Sequence, residues 1–91
     1  MCRGDIPELL YHSLIMKHDN DPVLTAIGSH IRKLRESAGH SQEAFASIAK
    51  VDRAYYGSVE RGEVNISILT LARIAKAMQL EMKDLIPNTV L

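Results

Sequence analysis

The stretch Ser41-Gln42-Glu43-Ala44-Phe45-Ala46-Ser47-Ile48-Ala49-Lys50-Val51-Asp52-Arg53-Ala54-Tyr55-Tyr56-Gly57-Ser58-Val59-Glu60-Arg61-Gly62 decides the fold. Ser41 is a good helix cap, because its short side chain accepts a hydrogen bond from a free backbone N–H of the first turn. Phe45, Ile48 and Ala49 follow at helical spacing and predict a buried stripe on a helix of about two turns, ending near Lys50. Asp52 restarts the chain with a second cap, and the next helix runs from Arg53 to about Glu60 and stops at Arg61-Gly62. Val51, Tyr56 and Val59 are expected to face the core. The stretch therefore reads as two short helices joined by a tight turn.

The flanks extend the same pattern. Upstream, Asp21-Pro22 offers a cap and a proline at the first helical position. Leu24, Ile27, Ile31, Leu34 and Ala38 then recur on one face until Gly39 ends the helix. Downstream, Glu63 to Ile66 reads as a loop, and Ser67 caps a helix with Ile68, Leu71, Ile74, Ala75 and Met78 facing in. Glu81 to Ile86 forms a last short turn or helix before Pro87. At the other end, Asp5-Ile6-Pro7-Glu8 opens a helix through about Lys17, with Ile6, Leu9, Leu10 and Leu14 on its apolar face. No Val-rich alternating run suggests a strand. The expected architecture is all-α, with a helical extension over residues 1–21, a compact five-helix domain over 22–87 and a tail over 88–91.

Bulk properties narrow the function. Ninety-one residues make one domain, which buries only about 60% of its unfolded surface and gains from dense packing or a partner copy. The hydrophobic content of 46% excludes a disordered chain. One cysteine, Cys2, cannot form an intrachain disulfide. His12, His18, His30 and His40 lack ligand spacing on a helix face, so no metal site is expected. No nucleophile elbow or glycine-rich phosphate loop points to an enzyme, and no cofactor is expected. A secretory signal and a membrane span are not evident, so the expected location is the cytoplasm with no membrane partner. The net charge of zero counts against a nucleic-acid binder, although residues 1–21 carry −2 and the remainder +2.

Two short helices across a tight turn have helix-turn-helix geometry. The stretch quoted above resembles the lambda-repressor-like helix-turn-helix family of phage repressors and bacterial regulators. Ile31-Arg32-Lys33-Leu34-Arg35 before it and Ser67-Ile68-Leu69-Thr70-Leu71-Ala72-Arg73-Ile74-Ala75-Lys76-Ala77 after it also match. The resemblance covers about residues 24–86. The Asp-Arg-Ala-Tyr-Tyr run at 52–56, with Val59-Glu60-Arg61-Gly62-Glu63 and Asn65, is similar to the small controller proteins of restriction–modification systems.

That resemblance implies a sequence-specific regulator binding duplex DNA as a homodimer on an inverted repeat, with half-sites about 34 Å apart. RNA polymerase is a further implied partner. Arg53, Ala54 and Ser58 would meet base edges: a guanidinium fork suits guanine, a methyl group suits thymine, and a hydroxyl suits several edges. Ser41, Gln42, Lys50, Tyr55, Arg61 and Asn65 would meet phosphates. Arg35 and Glu60 would form an internal ion pair. Met78, Met82, Leu85 and Ile86 would lie at the dimer interface. Three positions depart from the family pattern. Lys50 replaces a common glycine at the turn, His40 replaces an apolar residue before the cap, and Tyr56 replaces an aliphatic residue, which gives its hydroxyl a need for a partner. The rival reading is a protein-interaction module, an antitoxin or adaptor on the same fold.

Overall fold

The computed structural model describes residues 21–88. Four α-helices follow in order: α1 (Pro22–Ser37), α2 (Gln42–Ala49), α3 (Arg53–Glu60) and α4 (Ile68–Ala77), with a closing 3-10 helix at Met82–Leu85. Helices are the regular secondary structure of the described residues, with no strand among them. The last element is thus a single 3-10 turn instead of a fifth α-helix. The expected helix near residues 5–17 lies outside the described residues.

Local chemistry places each start. Asp21 accepts a hydrogen bond from Val23 N at 2.9 Å, with Pro22 at the first helical position. Ser41 Oγ accepts from Ala44 N at 3.0 Å, Asp52 Oδ2 from Tyr55 N at 3.1 Å, and Ser67 Oγ from Thr70 N at 3.1 Å. Each satisfies a backbone donor that the first turn leaves free. The ends are equally local: Gly39 (φ +84°) follows α1 and Gly62 (φ +73°) follows α3. Lys50 closes α2 in the left-handed region, φ 60° and ψ 43°. A side chain there costs on the order of 1 kcal/mol relative to glycine.

One apolar core joins all five elements. It contains Ile27 and Ile31 of α1, Phe45, Ala46 and Ala49 of α2, Tyr56 and Val59 of α3, Leu71, Ile74 and Ala75 of α4, and Leu85. The Phe45 and Tyr56 rings meet with centroids 5.5 Å apart at 52°, a tilted pairing that favours ring edges over faces. The Tyr56 hydroxyl is buried without a hydrogen-bond partner of good geometry. Burial first, then the nearby Glu60 carboxylate, raises its pKa, so the phenol keeps its proton.

Four sequence expectations are corrected. Ile48 is 49% exposed, because the inward arc of α2 is Phe45, Ala46 and Ala49, and Ile48 lies about 100° of helix rotation from its centre. Ile68 is 71% exposed; it is the first residue of α4, and the core begins one turn later at Leu71. Leu85, expected at a dimer interface, is fully buried inside the protomer. Its side chain pins the 3-10 turn to the core and is not presented to a second copy. Val51, expected in the core, is only partly buried and packs against its edge.

A close backbone approach joins α1 and α3. A Cβ on Gly28 would collide with the carbonyl oxygen of Val59 and would stand 2.6 Å from that of Glu60. Only glycine lets the two backbones touch. This contact fixes α3 against α1 and so sets which face of α3 is left outward.

Candidate nucleic-acid interface

The outward face of α3 is positioned by a buried ion pair. The Arg35 guanidinium, on α1, donates from Nε to Glu60 Oε2 at 2.7 Å and from its second terminal nitrogen to Glu60 Oε1 at 3.1 Å. A third donor reaches the His40 carbonyl at 2.9 Å. Gln42, in the first turn of α2, donates from Nε2 to Glu60 Oε1 at 2.9 Å. The two charged side chains are 9% and 2% exposed. Burial alone would raise the Glu60 pKa; the polar contacts from Arg35, the Tyr56 hydroxyl and Gln42 outweigh it and hold the carboxyl below its ordinary value. This network ties together the end of α1, the start of α2 and the end of α3.

Beside it, Gln42, Arg53, Ala54, Gly57 and Arg61 line a shallow cleft of about 250 Å³. The structure thus brings four residues expected to face DNA into one concave site: two at bases (Arg53, Ala54) and two at phosphates (Gln42, Arg61). Gln42 uses one amide hydrogen inward on Glu60, which fixes its orientation and leaves the second without a partner among the described residues. Arg53 and Ala54 are exposed on the first turn of α3. Ser58 is half-buried one turn along; its hydroxyl donates to Ala54 O at 3.1 Å and accepts from Arg61 at 3.5 Å. Ser41 spends an oxygen lone pair on its cap and keeps its hydroxyl proton available. Tyr55 is half-buried against the core, and Asn65 is exposed in the loop after α3. Lys50 is not part of the cleft: it lines a separate groove with Arg73 and Lys76.

Two features of the cleft carried no signal in the spacing of residues. The first is Gly57. A Cβ there would stand 3.1 Å from an Arg61 terminal nitrogen and 3.4 Å from Gln42 Oε1, so the glycine gives the arginine room to lie across α3. The second is Glu63, whose Oε2 stands 3.0 Å from Arg61 Nε. Residues two apart do not meet on a helix; they meet here because Gly62 turns the chain and the Glu63 N–H donates back to Ser58 O at 3.0 Å. The Glu63 hydrogen bond and charge raise the Arg61 pKa. Arg53, in contrast, has no carboxylate partner among the described residues.

The arrangement offers a capped helix start, one unpaired guanidinium, a second guanidinium held by a carboxylate, and an oriented amide. These groups match phosphate oxygens and base edges, which accept hydrogen bonds. Among the described residues no cluster of His, Cys, Asp and Glu is placed to hold a metal ion, and no helix is long and apolar enough to cross a membrane.

Comparison with known proteins agrees with this geometry. The sequence pattern of the helix-turn-helix family matches residues 31–85. Control protein C.MunI of Mycoplasma sp is 37% identical over 59 residues, 64% of this chain and 80% of that protein. The restriction-modification controller protein C.AhdI from Aeromonas hydrophila superposes with a TM-score of 0.67 at 39% identity, covering 68% of this chain and 94% of that one. The biofilm regulator SinR, solved in complex with DNA, superposes with a TM-score of 0.62 at 30% identity, covering 65% of this chain and 95% of that one. The family pattern over residues 31–85, the sequence identity and the superposed fold agree: this chain belongs to the helix-turn-helix family, and restriction–modification control proteins are among its relatives.

Proposed function

We propose that this protein is a sequence-specific regulator of transcription that binds duplex DNA through α3, in the manner of the control proteins it resembles. The observation that carries the reading is the cleft of Gln42, Arg53, Ala54, Gly57 and Arg61 on a helix whose orientation is fixed by a buried ion pair. Arg53, Ala54 and Ser58 read base edges in the major groove. Ser41, Gln42, Tyr55, Arg61 and Asn65 hold phosphates, with Lys50 at the margin. Residues 22–87 are the binding unit, and the protein acts in the cytoplasm on its own promoter and that of an associated endonuclease gene. It works as a homodimer on an inverted repeat. The exposed Ile68 and Leu69, with half-buried Met78, Met82 and Ile86, supply the apolar surface for pairing. RNA polymerase is the second protein it meets at the promoter.

Selection of bound sequences from random duplex DNA tests this reading. An enriched inverted repeat with half-sites about one helical turn apart supports it; no enrichment at low salt by folded protein sinks it. The rival interaction module has the zero net charge in its favour. It is separated by salt: DNA affinity should fall with a slope of about −0.9 per phosphate neutralised.

Two variants test individual contacts. Arg53→Ala should weaken binding by roughly 1–3 kcal/mol and relax preference at one base pair per half-site. An unchanged ratio of operator to scrambled affinity would rule out base reading by Arg53. Glu63→Gln should tighten binding about two- to fivefold, since Arg61 no longer has to exchange a carboxylate for a phosphate. The gain should vanish in an Arg61→Ala background. A gain that persists there would show only that a negative charge had been removed near DNA.

A further inference from the structure

A second concave surface lies on the opposite end of α2 from the DNA cleft. Ile48, Ala49, Lys50, Arg73, Lys76 and Ala77 line a groove of about 560 Å³ between the end of α2, the turn after it, and α4. Its composition is one-sided. Among the described residues three cations surround it and no carboxylate lines it, in a chain with equal numbers of acidic and basic residues. None of the three makes a salt bridge among the described residues. Its walls include the two alanines, and Ile48 leaves half of its side chain exposed there.

The backbone singles out the same place. Among the described residues only Lys50 and Gln79 are non-glycine residues with positive φ, each at 60°, and both line this groove. A left-handed side-chain-bearing residue is strained, and such strain concentrates where function requires it. At Lys50 a glycine would relieve the strain but would remove a cation from the groove.

We propose that this groove binds a small phosphate ester of about mononucleotide size. The volume falls in the range of about 300–1,000 Å³ typical of small-ligand sites. A phosphate dianion matches two ammonium groups and a guanidinium better than a single carboxylate does, because it offers three acceptor oxygens and more charge. The apolar wall of Ile48, Ala49 and Ala77 receives the organic body. Lys50 closes α2 two residues before the Asp52 cap of α3, so an occupant gripping Lys50 acts on the turn that aims α3. Binding in the groove therefore changes DNA affinity while leaving the cleft of Arg53 and Arg61 open. The inference goes beyond the DNA-binding reading and stands on a groove that shares with the proposed DNA contacts only the marginal Lys50.

The test is titration of the full chain with AMP, GMP, CMP and UMP singly, and with inorganic phosphate, followed by backbone amide NMR shifts. Saturable shifts at Lys50, Arg73, Lys76 and Gln79, with at least one mononucleotide bound more tightly than inorganic phosphate, are expected. Arg73→Glu with Lys76→Glu should lower that affinity by about tenfold or more. Helix content should stay unchanged, and Lys76→Gln alone serves if the double variant does not fold. Three outcomes overturn the proposal. These are shifts centred on Arg53 and Arg61, affinity for inorganic phosphate equal to that for every mononucleotide, or no saturable shift in the groove because residues 1–20 or nothing at all occupies it. Mononucleotide binding in a protein that ignores duplex DNA would sink the DNA reading and leave the groove assignment standing.

Discussion

Glu60→Ala should destabilise the protein by about 3–5 kcal/mol, read as unfolding free energy in urea. The carboxylate is 2% exposed and accepts from Arg35 twice and from Gln42 once. Removing it strands a guanidinium that is 9% exposed and, among the described residues, has only the His40 carbonyl and a distant Glu36 oxygen, 3.9 Å away, to turn to. The cost is that of an uncompensated buried charge, not the net worth of the pair. Replacing both partners with apolar residues, Arg35→Met with Glu60→Leu, should therefore cost less than Glu60→Ala alone. A loss below about 1 kcal/mol for Glu60→Ala would mean that the pair behaves like an exposed one.

The same carboxylate makes stability depend on pH. Its folded pKa lies below the ordinary value, because polar contacts with Arg35, Tyr56 and Gln42 outweigh the opposing effect of burial. A depressed acid binds its proton more weakly in the folded state. Its contribution is fully present above the unfolded pKa, about 4.3, and is lost as pH falls through the folded value. Glu60→Gln, which has no proton to gain, should lose less stability than wild type between pH 5 and the acid limit of folding, each measured against its own value at pH 7. Parallel curves for the two proteins would show that Glu60 is not the group responsible.

Gly28→Ala should destabilise by about 3 kcal/mol or more, the upper range for overpacking a tight core. Helix propensity predicts the opposite sign: alanine is better than glycine in a helix interior by about 0.8–1 kcal/mol. The steric effect wins because a Cβ would meet backbone, the carbonyls of Val59 and Glu60, and no rotamer change relieves it. The helices must separate, which also pulls Glu60 from Arg35. Urea unfolding of Gly28→Ala measures the balance. A gain in stability would show that α1 and α3 do not touch. A folded fraction, where present, should bind DNA more weakly, since α3 has lost its seat.

Much of this was legible in the residue order, for a definable reason. Helix caps work over three residues, so Ser41, Asp52 and Ser67 announced their helices and form the expected hydrogen bonds. Most of the apolar stripe of each helix was read correctly, because burial follows helical period. Ile48 and Ile68 were not: a period marks a face, while the neighbouring elements decide where that face is covered. Arg35 and Glu60 were expected to pair on the strength of the family resemblance, and their bidentate geometry bears this out. Leu85 was placed by its hydrophobicity and the family resemblance, neither of which separates a protomer's core from a face between copies.

The order of residues by itself determined the helices from α1 to α4, their ends, the all-helical class and the location of the recognition stretch. These depend on interactions within a turn or two of chain. Only the tertiary structure decided that Gly28 is the contact between α1 and α3, and that Gly57 makes room for Arg61. It alone placed Glu63 on that arginine and gathered Lys50, Arg73 and Lys76 around one groove. Those relations join groups that backbone turns and helix packing bring together, and no local period or propensity encodes a distance measured across the fold.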